Sequence, residues 1–582
     1  MNTQPIHPGR NYAGRRATAL LLQIVLLALA IPSVGSAHTP AELRILAHSY
    51  YEWRDSNYPV TSSDRGKHLW DDRLADYRMK AVLDRRAFVD KLLLRVRAIN
   101  TAAWSKDDRI DKILFQSQLE YDAFFPRVMR REESDPQLYV NEVTNGIFSL
   151  LKKDYAPKRV RALAAATRLE QVPALLQTAR SNLKTPVKLY AQLASEAARG
   201  GDDLYTASLM TLADGLPGAE RERLVKARDA ALGALHAFAD WLDERAAGMP
   251  DWKPMGTANY NYLLRRVLLL PFDAAEVEML GKVELVRYRA LEAWLKHPEF
   301  ASPDPSRAGR IPADQADFLR SYEARLQEVT TFLTENRLVT IPGYLGPFEI
   351  RQLPEAFKPT SPGGFMNPPG VYDADPAGFY FIPTYNPKSG NFYIRAAIED
   401  PRPILAHEGI PGHFLQLSIA NHLSDEIRRQ NSDNTFAEGW ALYGEEMLMR
   451  TGFYPEQSPS QGQVLHLSRY RAARVGVDVN LQTGRWSFQQ AVRYFMEEGG
   501  LDREAATGEA AGAASDPAQK IAYMVGKWQI MRLLARYRDV QGASFCLGAF
   551  HDQLISYGTL PLSVIEWLMF DDEASVRRAL GQ

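Results

Sequence analysis

Apolar and polar positions recur with helical spacing through most of this chain. Between about residues 40 and 245 the sequence keeps returning to a period near 3.6, as in Arg159-Val160-Arg161-Ala162-Leu163-Ala164-Ala165-Ala166 and Val187-Lys188-Leu189-Tyr190-Ala191-Gln192-Leu193-Ala194. That spacing gathers apolar side chains on one face of a helix. The stretch Gly248-Met249-Pro250-Asp251-Trp252-Lys253-Pro254 breaks the pattern and reads as a linker. Helical periodicity resumes over 258–296 and 314–337.

Between 340 and 400 aromatics, Gly and Pro dominate. Two runs there favour extended backbone, Gly378-Phe379-Tyr380-Phe381-Ile382 and Asn391-Phe392-Tyr393-Ile394-Arg395. They flank the turn-forming Asn386-Pro387-Lys388-Ser389-Gly390, so the pattern predicts a β-hairpin. From 400 to 576 the chain is helical again. Asp400-Pro401 and Asp516-Pro517 predict helix starts, because Asp caps free N–H groups and Pro suits the first turn. The expected fold is mainly α, with a deep channel and one small hairpin or sheet beside the active site. Its expected regions are an N-terminal helical one over 38–247, a middle one over 255–399 and a helical catalytic one over 400–582, with 38–582 forming one module.

Residues 1–37 depart from this pattern and read as a secretory signal. Arg10, Arg15 and Arg16 make a positive n-region, Ala17 to Pro32 an apolar stretch, and Gly35-Ser36-Ala37 a small-residue cleavage site, with cleavage expected after Ala37. The apolar stretch of 16 residues is shorter than the ~20 needed to span a bilayer, so no stable membrane span is expected after cleavage. Arg15-Arg16 is followed by Ala17-Thr18-Ala19, a poor match to a twin-arginine signal. The expected location is the periplasm or the medium.

Without the signal the chain has 66 basic and 70 acidic residues, a net charge of −4. This balance excludes a nucleic-acid protein. The single cysteine, Cys546, forms no internal disulfide and, between Phe545 and Leu547, is expected to be a buried small hydrophobe.

The chemistry concentrates in Leu405-Ala406-His407-Glu408-Gly409-Ile410-Pro411-Gly412-His413-Phe414-Leu415. Neutral imidazoles are good zinc ligands, and a carboxylate beside the first is placed to act on a metal-bound water. In the usual His-Glu-x-x-His motif the histidines are four apart and share a helix face. Here they are six apart, roughly 120° around an unbroken helix, so one ion can be shared only if the helix is distorted between them. Pro411 removes a helical N–H and Gly412 permits unusual dihedrals, so the interval holds the means to bend.

A third ligand is offered by Glu438 in Ala437-Glu438-Gly439-Trp440-Ala441-Leu442-Tyr443-Gly444-Glu445. Its apolar neighbours leave a carboxylate in need of a partner or an ion; alternatively, Thr435 and Glu438 fit a capping box. His422, Asp425 and Glu426 lie in a polar stretch that reads as surface. Tyr523, in Gln519-Lys520-Ile521-Ala522-Tyr523-Met524-Val525-Gly526-Lys527, could donate to the oxyanion of a tetrahedral intermediate or could simply be packed in a core. Arg474 and Asp478, four apart, read first as a helix-surface ion pair, with a substrate-carboxylate role for Arg474 as the alternative.

Together these residues resemble the bacterial family of domain of unknown function 885, which is similar to the thimet oligopeptidase and carboxypeptidase Taq groups of zinc peptidases. The resemblance covers about residues 42 to 576. Its marks are His407-Glu408-x-x-Pro411-Gly412-His413, Glu438-Gly439-Trp440-Ala441-x-Tyr443-Gly444, Arg474 to Trp486, and Ala522-Tyr523-x-x-Gly526, with weaker echoes at Gly256-x-x-x-Tyr260, Leu280-Gly281 and Gly558-x-Leu560-Pro561-Leu562. It implies Zn²⁺ held by His407, His413 and Glu438, Glu408 as general base, and Tyr523 as oxyanion donor. Many members carry Gly-x-His after the position of Asp478; here Asn480-Leu481-Gln482 stands there, so any such histidine role is absent or passed to Gln482. The expected activity is hydrolysis of short peptides, aligned on an edge strand of the hairpin. The alternatives are an inactive exported binding or scaffold protein of the same fold, or a zinc hydrolase of non-peptide amides. Oligomeric state is not legible.

Overall fold

The computed structural model describes residues 39–295, 311–353, 364–455 and 459–582; the expected signal, residues 1–37, lies outside them. Helices dominate, as the periodicity requires. Thr39 caps the first, Pro40–Asn57, in a reciprocal capping box with Glu42, and Ser105 caps Lys106–Val128. The N-terminal helices contribute to two cores. Leu43, Tyr50, Tyr51, Phe115 and Leu119 pack with Ala406, Phe414, Trp440 and Trp567 from the C-terminal part. Residues from Ala75 to Met249 build a second core around Tyr139, Leu169 and Phe238. Among the described residues no helix is long and apolar enough to cross a membrane.

The middle of the chain carries helix α1 (Gln315–Glu335) and strands β1 (Phe348–Gln352), β2 (Phe365–Asn367) and β3 (Gly378–Ile382). They form one three-stranded sheet in the order β1-β3-β2. β3 pairs in parallel with β1, Phe348 opposite Gly378 and Gln352 opposite Ile382, and antiparallel with β2, Phe365 opposite Phe381. All five residues of β3 are buried, as befits a central strand covered on both faces. One face packs Ile350, Tyr380 and Ile382 against Phe318, Tyr322 and Leu405; the other packs Phe379 and Phe381 with Phe148 and Phe365.

The predicted hairpin does not form. Its first run is β3, but the second belongs to helix α2 (Phe392–Glu399), whose N-cap Asn391 accepts from the N–H groups of Tyr393 and Ile394. That cap, which the β-favouring side chains mask in the sequence, decides the conformation. With β3 paired on both sides, the edges of the sheet are β1 and β2.

The C-terminal part continues with α3 (Arg402–Glu408), α4 (His413–Asn421), α5 (Asn434–Arg450), α6 (Pro459–Gln482), α7 (Arg503–Ser515) and α8 (Gln519–Gln541). The start predicted at Asp400-Pro401 is displaced by one residue, and Asp400 accepts from the N–H of Arg402. The start predicted at Asp516 is not one: Asp516 closes α7. The free N–H groups at the start of α8 are met from another helix, since Asp478 accepts from Ala518 at 3.0 Å and Lys520 at 2.9 Å. Tyr260 also donates to Asp478, at 2.9 Å, and burial pushes its carboxyl up to about 7. Asp478 is thus a buried cap and not half of a surface pair. Cys546, expected to be buried, is exposed where the chain enters the helix Leu547–Ser556.

Candidate metal centre

The two histidines stand on separate helices. α3 ends at Glu408, residues 409–412 turn the chain, and His413 opens α4. The distortion expected between them is a complete break, and its tightest point is Gly412. A Cβ there would collide with the carbonyl oxygens of Ala406 and His407, so only glycine lets the chain fold back this closely. The indole N–H of Trp440 donates to the carbonyl of Pro411 at 2.7 Å and pins the turn to α5. Phe348 of β1 stacks on Phe414, centroids 4.8 Å apart, and braces it from the sheet.

This fold-back brings the imidazole Nε2 atoms of His407 and His413 each to 3.3 Å from the same oxygen of Glu438. The rings are 4.8 Å apart and nearly perpendicular. One donor atom from each residue lies within 4.8 Å of the others. Donors at about 2.0–2.2 Å from a tetrahedral zinc ion lie roughly 3.3–3.6 Å from one another, so the His–Glu spacings fit that ion. The capping-box alternative for Glu438 fails: Asp433 caps α5 by accepting from Phe436. Burial would raise the Glu438 carboxyl, but His413 and His407 override it and hold it well below the usual range.

A residue the motifs did not single out stands behind the first histidine. Glu445, fully buried, meets Nδ1 of His407 at 2.7 Å, and Arg471 of α6 lies 3.3 Å from the same oxygen. Glu445 follows Glu438 by seven residues, two turns along one helix face, and that spacing was the available signal. A carboxylate on the far nitrogen of a metal-binding histidine fixes its tautomer and raises its basicity. Burial disfavours the imidazolium of His407, yet Glu438 and Glu445 overcome this and raise it to about 9. If the cluster holds zinc, replacing Glu445 by glutamine is expected to weaken its binding about 10- to 100-fold in chelator competition; unchanged affinity would remove Glu445 from the site.

Tyr523 flanks the cluster, and Glu408 follows His407 directly in the chain. Glu408 is half-buried at the end of α3, and its charge acts on the hydroxyl of Tyr380 in β3. Tyr523 stacks on His407, centroids 6.0 Å apart, and burial followed by the nearby Glu438 raises its hydroxyl. It reaches the site because α5 and α8 nearly touch: a Cβ on Gly439 would lie 2.5 Å from Cα of Gly526, and one on Gly526 would strike the carbonyl of Thr435.

The remaining sequence candidates lie elsewhere. Arg474 is buried and its partner is Glu509 of α7, at 2.9 and 2.8 Å, so neither the surface pair nor the substrate-carboxylate role holds. Gln482 is buried and donates to the carbonyl of Ala513 at 2.6 Å. His422 contacts the carbonyl of Ser418, Asp425 caps Glu426–Gln430, and Glu426 pairs with His48.

A family model for bacterial proteins of unknown function, DUF885, matches residues 59–569, and the chain belongs to that family. Two solved structures share the fold. A lipoprotein candidate of unknown function from Shewanella oneidensis is 21% identical with a TM-score of 0.72, the match covering 92% of this chain and 100% of that one. A lipoprotein candidate from Colwellia psychrerythraea is 16% identical with a TM-score of 0.74, covering 94% and 99%. No curated protein matches the chain significantly.

Proposed function

We propose that this protein is an exported zinc-dependent peptidase acting on short peptides, with His407, His413 and Glu438 as zinc ligands. The observation behind the proposal is the convergence of two imidazole nitrogens on one Glu438 oxygen, 3.3 Å each; Glu408, next to His407 in the chain, is not part of the cluster. The descriptions of the family and of the two structural relatives do not support the thimet oligopeptidase and carboxypeptidase Taq likeness that the motifs imply, so the reading rests on the site. Export is supported by the signal-like residues 1–37 and by the lipoprotein character of the two structural relatives.

Zinc held by these three residues would supply Lewis acidity to a water and to a peptide carbonyl. Glu408 would take the proton of the attacking water and return it to the leaving amine. Tyr523 accepts from the amide of Gln519 at 3.2 Å, which leaves its own proton to donate to the carbonyl oxygen as that oxygen gains charge. An edge strand of the sheet, β1 or β2, would offer main-chain groups on which an extended peptide aligns.

The test is metal analysis of the purified protein together with cleavage of a mixed peptide library. Stoichiometric zinc and chelator-sensitive cleavage are expected; a protein that binds no zinc, or cleaves peptides equally well without it, ends the reading. A pH dependence follows as well. Zinc needs neutral imidazole, and His407 keeps its proton up to about 9 in the metal-free protein. Apparent zinc affinity should therefore fall by up to about tenfold per pH unit below 9, with proton release on binding measurable by calorimetry in buffers of different ionisation enthalpy. Affinity that is flat between pH 6.5 and 8.5 would contradict it.

A further inference from the structure

Behind Tyr523 lies a buried charge cluster that the proposed chemistry does not use. Four helices meet at Glu509 of α7. Arg474 of α6 grips both its oxygens, at 2.9 and 2.8 Å, Tyr393 of α2 donates to it at 2.8 Å, and Lys520 of α8 lies 3.2 Å away. The clamped guanidinium sits against two rings, its carbon 4.5 Å from the centre of Tyr470 and 4.7 Å from that of Tyr523. Arg471, one turn earlier on α6, has its guanidinium 5.5 Å from the centre of the Tyr523 ring and 3.3 Å from Glu445.

A buried ion pair is a poor source of stability, because desolvating both charges offsets most of their attraction. What a bidentate Arg–Glu pair does provide is a cation of fixed position and plane. We infer, building on the peptidase reading, that Arg474 is a positioning residue for Tyr523. Clamped by Glu509, it fixes the phenol ring against His407 and, as a cation at the ring face, strengthens the hydroxyl as a donor to negative charge on the substrate oxygen. Lysine keeps the charge but not the fork.

A double-mutant cycle separates this role from a structural one. Arg474→Met should lower kcat about 10- to 30-fold, with KM and zinc affinity within about twofold, yet change kcat less than about twofold in a Tyr523→Phe background. Arg474→Lys should restore part of the loss. Equal losses in both backgrounds, or no loss, overturn the inference. If Arg474→Met does not fold, Glu509→Gln loosens the same clamp and should show the same non-additivity. A readout independent of turnover is the ¹⁹F resonance of 3-fluorotyrosine at position 523, expected to shift and broaden in Arg474→Met. An unmoved resonance sinks the positioning role even in an active enzyme. A wild type that cleaves no peptide but shows the shift sinks the peptidase reading and leaves the positioning of the ring standing.

Discussion

Glu408→Gln is expected to abolish turnover, lowering kcat roughly a thousandfold or more while the protein keeps its zinc and its fold. Glutamine matches the shape of glutamate but cannot accept a proton at neutral pH, and general-base catalysis is worth about 10²–10⁴. The substitution isolates chemistry from metal binding because Glu408 supplies none of the three clustered donor atoms. It also adds no volume to the half-buried end of α3. Tyr523→Phe removes a single oxyanion donor and should cost less, about 10²–10³. The measurement is peptide hydrolysis at matched zinc content. A Glu408→Gln protein retaining more than about a tenth of wild-type kcat would show that the proton moves elsewhere and that the assignment of the base is wrong.

The cluster of His407, His413 and Glu438 was legible in the sequence to an unusual degree because its donors lie in two short segments. The spacing of six between the histidines, read against the helical period, already required a distortion, and Pro411 and Gly412 located it. What the spacing did not reveal is that the helix stops outright, because that depends on Trp440 and Phe348 holding the turn from outside. Glu438 was legible as a carboxylate in an apolar setting. Glu445 stands in the same segment as Glu438, but its role appears only when His407 is placed across from it.

One difference from the sequence pattern is a local cap that strand propensity masks, and others turn on contacts distant in sequence. Phe392, Tyr393 and Ile394 favour strand, but Asn391 caps them into a helix and Tyr393 is claimed by Glu509, 116 residues away. The β1–β3 pairing is parallel between segments thirty residues apart, with no turn chemistry to announce it. Arg474 and Asp478 have the spacing of a surface pair, and spacing cannot distinguish an exposed face from one covered by α7 and α8. Periodicity recovered the helices because it is local; the partners of buried charges are not.

If the break between the helices positions the metal, Gly412→Ala should cost far more zinc affinity than so small a substitution elsewhere on the chain. Its methyl would enter the space held by the carbonyl oxygens of Ala406 and His407. Neither can retreat, since both belong to α3 and Ala406 is fully buried. Relief requires α4 to move away from α3, and that movement carries His413 away from His407. Overpacking of this kind costs roughly 1–3 kcal/mol. The loss of zinc affinity should be larger in proportion, at least about 100-fold, because ligand distances tolerate only about 0.2 Å. Gly390→Ala is the control: nothing lies within 4 Å of its added methyl, so stability should change by no more than about 0.5 kcal/mol and zinc affinity not at all. Thermal unfolding with and without zinc, together with chelator competition, reads both effects. Normal zinc affinity in Gly412→Ala would mean that the imidazoles find the ion without the tight turn, and the bend would lose its place in the argument for the site.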